Sequence, residues 1–167
     1  MKIKPIETIY NGYRFRSRLE ARWAVFFDTL DIKYEYEKEG FDLGDGIYYL
    51  PDFWLPQVNM WAEVKPEKLT PPEMRKCNLL VDNTKFECLL LIGTPENKPY
   101  FATCGIDFDD EFGEIGMMKE YCLTMYHRYP QNEGRFYSSP GGYDDSHFDD
   151  TEKSANASKS ARFEFDR

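Results

Sequence analysis

The sequence lacks any run that would carry it across or into a membrane. Nowhere do its apolar residues approach the ~18 consecutive positions that a membrane-spanning helix needs. The first ten residues, MKIKPIETIY, contain no apolar run of the kind found in a secretory signal peptide. Internal repeats are also missing. These absences predict a cytoplasmic protein.

Closely spaced cysteines and histidines, which a zinc site requires, are lacking too. The four cysteines are Cys77, Cys88, Cys104 and Cys122, and the two histidines are His127 and His147. Because the cysteines are separated by 11, 16 and 18 positions, no C-x-x-C pair occurs. A zinc site draws its ligands from pairs at short spacing, so none is predicted. We expect free thiols that pack as small apolar side chains.

An excess of positive charge, which a tight non-specific DNA binder carries, is absent. The formal net charge is −9. Residues 1–104 hold 14 basic and 16 acidic residues, whereas residues 105–167 hold 7 basic and 14 acidic residues. The front of the chain is therefore nearly neutral and the back is acidic. The front contains one basic cluster, formed by Arg14, Arg16, Arg18 and Arg22.

Hydrophobic periodicity in the front of the chain predicts a helix, three strands, a second helix and one or two further strands. The apolar residues of 16–31 form one helical stripe, and Ser17–Glu20 matches the S-x-x-E capping box. The predicted strands span 32–41, 47–55, 59–65 and 86–93, the second helix spans 73–81 or slightly more, and the segment PYFATCG returns beside strand 86–93. The continuous apolar run FECLLLIG indicates a strand covered on both faces. This order predicts an α/β fold in which helices flank a mixed central sheet.

The back of the chain gives weaker signals. Residues 114–128 carry an apolar pattern that predicts a helix, and the segment DFDDEFGE at 107–114 indicates an acidic loop or helix start. From Ser138 to about Ser154 the composition is typical of a tail or linker. We therefore divide the chain into a core at 1–104, a partly helical extension at 105–137 and an acidic, largely flexible tail at 138–167 whose end regains some pattern.

The most informative stretch is YYLPDFWLPQVNMWAEVK at 48–65, because charged residues lie within an apolar hairpin. Strand alternation places Trp61, Glu63 and Lys65 on one face. If the preceding strand pairs antiparallel with this one, Asp52 lies close to the two charged residues. Converging carboxylates repel each other, and a divalent cation such as Mg²⁺ relieves that repulsion. The plainer interpretations are a strand-end carboxylate at Asp52 and a surface ion pair between Glu63 and Lys65.

These residues resemble the motif of the PD-(D/E)xK nuclease superfamily. Pro51-Asp52, ten intervening residues and Glu63-Val64-Lys65 match the motif. The αβββαβ order of the superfamily core is similar to the predicted element order. Many members add an acidic residue from the first helix, and Glu20 stands at that place.

Longer segments resemble a narrower group. FRSRLEARWAVFFD, YEYE, YLPDFWLP and EVK look like a group of phage and prophage nuclease-like proteins. Their layout is similar to that of junction-resolving and transposon-end cleaving endonucleases. Pro66 departs from the pattern, because the residue after the lysine is often glycine in such proteins. This departure alters the exit of the strand but not the ligands.

The resemblance implies a restriction-endonuclease-like fold and a metal-dependent DNA endonuclease of a phage or mobile element, located in the host cytosol. Asp52 and Glu63 would hold Mg²⁺ or Mn²⁺, with the Val64 carbonyl as a third ligand. Lys65 would position the attacking water, and Glu20 would bind a second metal ion or a water on the metal. The basic cluster would contact DNA. Relatives often dimerise to cut two strands, so a homodimer is one expectation.

The same residues also have other interpretations. Glu20 suits a helix cap without any metal, and the basic cluster suits a solvated helix face. Four tyrosines suit sheet packing better than base stacking: Tyr34, Tyr36, Tyr48 and Tyr49. The chain also fits a different class, a nuclease-fold binding module that does not cleave and that engages a protein partner through its acidic C-terminal region. In a nuclease, one of the acidic segments 107–114 and 144–152 would compete with DNA for the basic cluster.

Overall fold

A computed structural model of the protein describes residues 5–95, 100–104, 119–122, 124–125, 136–137 and 148–163. These residues form twelve strands and three helices. In chain order the elements are β1 (Thr8–Tyr10), β2 (Tyr13–Phe15), α1 (Arg18–Thr29), β3 (Glu35–Tyr36), β4 (Phe41–Asp42), β5 (Tyr48–Tyr49), β6 (Phe53–Leu55), β7 (Met60–Lys65), α2 (Pro71–Thr84), β8 (Cys88–Ile92), β9 (Tyr100–Cys104), β10 (Lys119–Cys122), β11 (Thr124–Met125), β12 (Phe136–Tyr137) and α3 (Phe148–Ser160). None of the described helices combines the length and apolar composition that a membrane crossing needs.

Six strands form one mixed sheet in the order β10-β9-β8-β7-β6-β3. Its neighbours pair antiparallel except for β7 and β8, which are parallel with Glu63 opposite Leu90. Parallel neighbours need a crossover connection, and α2 supplies it between β7 and β8. The predicted α/β class with a mixed central sheet is therefore confirmed.

Helix α1 begins where its sequence predicted. Ser17 is the N-cap, and its Oγ accepts a hydrogen bond from the Glu20 N–H at 3.2 Å. The helix buries Trp23 and Phe27 completely or almost so. The Trp23 indole N–H also donates to the carbonyl oxygen of Gly93 at 2.9 Å. Because Gly93 directly follows β8, this bond fixes the helix against the central sheet.

Strand β8 lies at the centre of the core, between two hydrophobic clusters. Leu89 and Leu91 pack with the aromatic residues of α1, whereas Cys88 and Leu90 pack with α2. The buried residues of α2 are Met74, Cys77, Leu80 and Val81. The strand predicted to be covered on both faces is thus confirmed, and β9 returns antiparallel beside it.

Two strands are shorter than their sequence patterns predicted. The predicted strand 32–41 joins the central sheet only at β3, because Glu37 has a φ of 46° and turns the chain. The predicted strand 47–55 is divided around Pro51, which has no N–H to donate, into β5 and β6. β5 pairs instead with β4 in a separate two-stranded sheet, joined by a turn with positive φ at 44–46. We call this unit, residues 41–49, the β4–β5 hairpin.

The back of the chain differs most from its prediction. The helix predicted over 114–128 is wrong in its described part, since Lys119–Cys122 pairs with β9 and Thr124–Met125 pairs with β12. The exposed edge of β9 offers β10 a full set of backbone partners, and such pairing outweighs local propensity. The predicted flexible tail is helical from Phe148 to Ser160. The acidic segment 107–114 lies outside the described residues.

Helix α3 is held against α1. The Arg22 guanidinium donates from Nη1 to the carbonyl oxygens of Ser158 at 2.6 Å and Lys159 at 2.9 Å. In return, Ser158 Oγ donates to the carbonyl oxygen of Arg22 at 2.9 Å. Ser154, Ala155 and Ser158 are buried. Their small side chains resemble a linker in the sequence, but in the fold they let two helices approach closely.

Candidate functional site

The open end of the β6–β7 hairpin carries the residues of the predicted motif. Phe53 pairs with Ala62, so Asp52 enters the sheet opposite Glu63. Asp52 Oδ2 accepts a hydrogen bond from the Val64 N–H at 2.7 Å. Both carboxylates are buried, with exposed fractions of 8% for Asp52 and 4% for Glu63. The predicted antiparallel pairing, and the approach of Asp52 that it entails, are confirmed.

Glu63 and Lys65 are in contact, as strand alternation predicted. Lys65 Nζ lies 2.7 Å from Glu63 Oε1 and 3.9 Å from Glu73 Oε1. Since Glu63 is buried, this is not the surface ion pair of the plainer interpretation. The second oxygen, Glu63 Oε2, is buried and has no hydrogen-bond partner among the described residues. A buried polar atom without a partner is rare in folded proteins and raises the energy of the site.

The pKa values of this group depart from their usual range for identifiable reasons. Burial, followed by the charges of Glu63 and Glu20, raises the pKa of Asp52 well above its usual value. Burial also raises the pKa of Glu63, although Lys65 acts against it. Burial lowers the pKa of Lys65, but the nearby carboxylates outweigh burial and raise it. The lysine is therefore held as a cation, while the two carboxyl groups resist ionisation.

Glu20 reaches the same site from α1. Its Oε1 accepts from Ser17 Oγ at 2.6 Å, and its Oε2 accepts from the Arg16 N–H at 3.1 Å and the Tyr36 hydroxyl at 2.5 Å. Burial and the neighbouring Glu20 carboxylate raise the pKa of Tyr36, so its hydroxyl remains a donor. The N-cap at Ser17 is thus confirmed, whereas the reciprocal bond of a capping box differs, because the Glu20 carboxylate accepts from the Arg16 N–H instead of the Ser17 N–H. It also brings the charge of Glu20 close enough to Asp52 to raise the pKa of Asp52.

The backbone of Val64 faces the Asp52 side of β7. The backbone groups of Trp61 and Lys65 point toward β8. The Trp61 N–H donates to the carbonyl oxygen of Glu87 at 2.9 Å, and the Gly93 N–H donates to the carbonyl oxygen of Lys65 at 2.8 Å. Alternate residues, Ala62 and Val64, point their backbone groups to the opposite edge. The Val64 N–H does so toward Asp52, and by strand geometry the Val64 carbonyl points to the same edge. A carbonyl oxygen is therefore available beside the two carboxylates.

All four residues with predicted catalytic roles line one pocket of about 900 Å³. The lining residues are Pro5, Arg16, Glu20, Gly40, Phe41, Asp42, Tyr48, Tyr49, Leu50, Asp52, Glu63, Val64 and Lys65. Four carboxylates, a lysine and an arginine thus share one pocket with apolar walls. Within the described part of the chain, no three or more His, Cys, Asp or Glu side chains form a group that would bind a metal ion by themselves. A cation here would need the Val64 carbonyl and water as further ligands, which suits Mg²⁺.

The four arginines predicted to bind DNA have different surroundings. Arg16 lines the pocket, and its Nε lies 2.5 Å from Glu37 Oε1. Arg14 forms an exposed ion pair with Glu7 at 3.3 Å. Arg22 donates a hydrogen bond to the Ser158 carbonyl oxygen of α3, and Arg18 does not line the pocket. The structure therefore brings one member of the basic cluster to the carboxylates.

The β4–β5 hairpin forms one wall of the pocket, which the sequence analysis did not predict. This wall contains Phe41, Asp42, Tyr48 and Tyr49. The Tyr49 hydroxyl lies 3.5 Å from Cys77 Sγ, so this tyrosine faces inward, whereas Tyr48 is exposed. The turn DLGDG was a usable signal, because a tight turn between the two tyrosines and Phe41 implies a hairpin of its own.

Comparison with protein-family models, with curated proteins and with solved structures found no match to this chain.

Proposed function

We propose that the protein is a metal-dependent DNA endonuclease that hydrolyses phosphodiester bonds, with the PD-(D/E)xK arrangement of residues. One observation carries the proposal: Glu20, Asp52, Glu63 and Lys65 line a single pocket, and Glu63 Oε2 is buried there without a partner. A set of buried charges in a cleft is the usual mark of a functional site. A purely structural hairpin gains nothing from burying two carboxylates side by side.

The fold supports a restriction-endonuclease-like core. From α1 the chain continues through antiparallel β3, β6 and β7, crosses over through α2 and adds β8 parallel to β7. Apart from the β4–β5 hairpin, which lies between β3 and β6 in the chain, this order is similar to the αβββαβ order of the superfamily core. The motif residues lie where β6 begins and β7 ends, at one edge of the pocket.

The residues present fit a divalent cation. Burial raises the pKa values of Asp52 and Glu63, and the charges of Glu63 and Glu20 raise that of Asp52 further. A cation would remove that penalty. Asp52, Glu63 and the Val64 carbonyl would hold Mg²⁺ or Mn²⁺, and the unpartnered Glu63 Oε2 would gain a partner. When bound, the cation would lower the pKa of a water molecule and stabilise negative charge on the phosphate.

Lys65 and Arg16 supply the cationic groups of the chain itself. Lys65 Nζ has three N–H donors, one of which points to Glu63 Oε1, and its raised pKa keeps it protonated. It is therefore suited to orient the attacking water or to bind a phosphate oxygen, rather than to remove a proton. Arg16 is suited to a phosphate contact, because its guanidinium lies at the pocket and is partly exposed. Hydrolysis adds one water across a P–O bond, and the leaving oxygen takes up a proton.

Cleavage assays test the proposal directly. Wild type, Lys65→Ala and Lys38→Ala would be incubated with linear, branched and single-stranded DNA plus Mg²⁺ or Mn²⁺. Lys38 is the matched control, since it pairs with Glu35 outside the pocket. We expect Lys65→Ala to lose at least about 100-fold in rate and Lys38→Ala to match wild type. If wild type cleaves no substrate, the protein is the non-cleaving binding module instead.

Metal binding gives an independent measurement. Titration with Mn²⁺ should release or absorb heat with wild type but not with Asp52→Asn or Glu63→Gln. At a concentration 100 times the Kd, the ion should raise the free energy of unfolding by about 2.7 kcal/mol. Equal heats from wild type and both variants would rule out the site.

A further inference from the structure

The β4–β5 hairpin presents its two tyrosines in opposite directions. Phe41 packs edge-on against Trp61, with ring centroids 5.1 Å apart, and the Tyr49 hydroxyl contacts Cys77 Sγ at 3.5 Å. These two residues hold the hairpin against the α2 side of the core. Tyr48 follows the alternation of a strand and points away from them. It pairs across the hairpin with Asp42.

Tyr48 is 72% exposed although it lines the pocket that holds the carboxylates. The other exposed large hydrophobic residues in the described part of the chain are Ile6 and Phe86, with exposed fractions of 48% and 41%. Phe86 rests against Trp54, with ring centroids 5.1 Å apart. Tyr48 is thus more exposed than either, and it stands at the mouth of the candidate site. An aromatic ring that the fold leaves uncovered there is available to a ligand.

The depth of the site restricts what can enter it. Asp52 and Glu63 are almost fully buried, so a phosphate must come into the pocket to reach them. The pocket has a volume of about 900 Å³, which is room for one or two nucleotides around the carboxylates. A nucleotide that has left its stacked position has a free base to place against a pocket wall.

The charges of the pocket separate a phosphate region from a base region. Arg16 and Lys65 supply positive charge from the start of α1 and the end of β7. The hairpin wall instead carries Asp42 beside Tyr48, which disfavours a phosphate there. A nucleobase, which is uncharged and has a flat π-face, fits this wall better.

Resting on the nuclease function proposed above, we propose that Tyr48 stacks on the nucleobase next to the cut phosphate. The substrate class is then DNA whose bases are unstacked at the cut, as in single strands and branch points, rather than regular duplex. Tyr48 acts as a specificity-determining residue, because its ring stabilises only a bound base that has left the duplex stack.

Binding measurements test this role separately from cleavage. Lys65→Ala protein with Mg²⁺ would be titrated with a single-stranded oligonucleotide that contains 2-aminopurine, whose fluorescence falls on stacking. Adding Tyr48→Ala should weaken binding roughly five- to 150-fold and abolish the fluorescence change. Tyr48→Phe keeps the ring and should bind within about twofold of the parent. Phe86→Ala, an exposed aromatic residue outside the pocket, is the control and should change nothing.

Each outcome supports or overturns the stacking role or the nuclease function. Unchanged binding in Tyr48→Ala, or equal losses in Tyr48→Phe and Tyr48→Ala, would overturn the stacking role. If wild type cleaves DNA but Tyr48→Ala binds and cleaves equally well, only the stacking role fails. If Tyr48-dependent binding is seen but wild type cleaves nothing, the nuclease function fails while the stacking role stands. Absence of binding by both parent and wild type would overturn the stacking role, and the cleavage assay would then decide the nuclease function separately. Because Tyr48 is exposed, its variants should fold, and matching thermal unfolding curves would verify this.

Discussion

The two ends of the β6–β7 hairpin are equally buried but opposite in chemistry. At the turn end, Trp54 and Trp61 pair across the strands with their ring centroids 4.5 Å apart. At the open end, Asp52 and Glu63 face each other beside Lys65. Trp61 and Glu63 lie two residues apart on one strand, and each has an exposed fraction of 4%. Burial alone therefore does not distinguish a packing residue from a site residue.

The contrast shows how the hairpin can support buried charges. The aromatic end gains stability from the area it removes from water. The charged end opposes folding, because its carboxyl groups lose hydration and Glu63 Oε2 gains no partner. The packed end and the aromatic cluster around Phe53 offset that cost. The packed end also leaves Trp61 Nε1 buried without a hydrogen-bond partner among the described residues, but the cost of burying charge lies at the end that faces the pocket.

Removing an aromatic residue at the packed side should have the largest effect. Phe53 is fully buried and packs against Phe15, Phe27, Tyr34 and Tyr36 at centroid distances from 5.4 to 6.1 Å. Phe53→Ala should lower the free energy of unfolding by about 3–5 kcal/mol, because it leaves a cavity in the core. Urea unfolding would measure the change. Phe86→Ala should stay within about 0.5 kcal/mol. A loss below 1 kcal/mol at Phe53 would contradict this account.

Neutralising a buried carboxylate should raise the free energy of unfolding, whereas Phe53→Ala lowers it. Asp52→Asn should raise the free energy of unfolding at pH 8 by about 0.5–2 kcal/mol while it abolishes metal binding. The folded-state pKa of Asp52 lies above its unfolded value of about 3.9, so the native state binds this proton more tightly. Its contribution to stability is therefore full below about pH 4 and is lost as the pH rises through the raised pKa.

The pH dependence of urea unfolding would check the sign. Between pH 4 and 8, wild type should lose more stability than Asp52→Asn. Asp82→Asn, at an exposed position on α2, serves as the control and should follow wild type. Parallel stability curves for wild type and Asp52→Asn would show that the buried carboxylate carries no such penalty.

The smallest effect is expected at the helix cap that holds Glu20. Ser17→Ala removes the hydroxyl that accepts from the Glu20 N–H and donates to its carboxylate, and it should cost about 1 kcal/mol. Ser17→Asn keeps a capping oxygen and should recover most of the loss. Thermal unfolding would measure both variants. Equal destabilisation by Ala and Asn would mean that the cap does not stabilise α1.

Local patterns predicted the parts of the site that depend on neighbours in the chain. The N-cap at Ser17, the contact between Glu63 and Lys65 and the entry of Asp52 all follow from helix periodicity, strand alternation and antiparallel pairing. Tyr48 is exposed and Tyr49 faces inward because of where the β4–β5 hairpin packs on the core. Local sequence patterns do not predict that position. The helical packing of α3 depended on a complementary surface of α1, far away in sequence.

Helix α3 also sets the order in which the protein can be completed during synthesis. The bond from Arg22 to Ser158 joins residues 136 positions apart, so the outer side of α1 has no cover until nearly the whole chain has been made. At roughly 5–20 residues per second, that interval lasts on the order of 7–27 s. A nascent chain would thus expose the α3-binding surface of α1 to chaperones for seconds after β1 to β8 have been made. That surface is covered only when the last turn of α3 has been made.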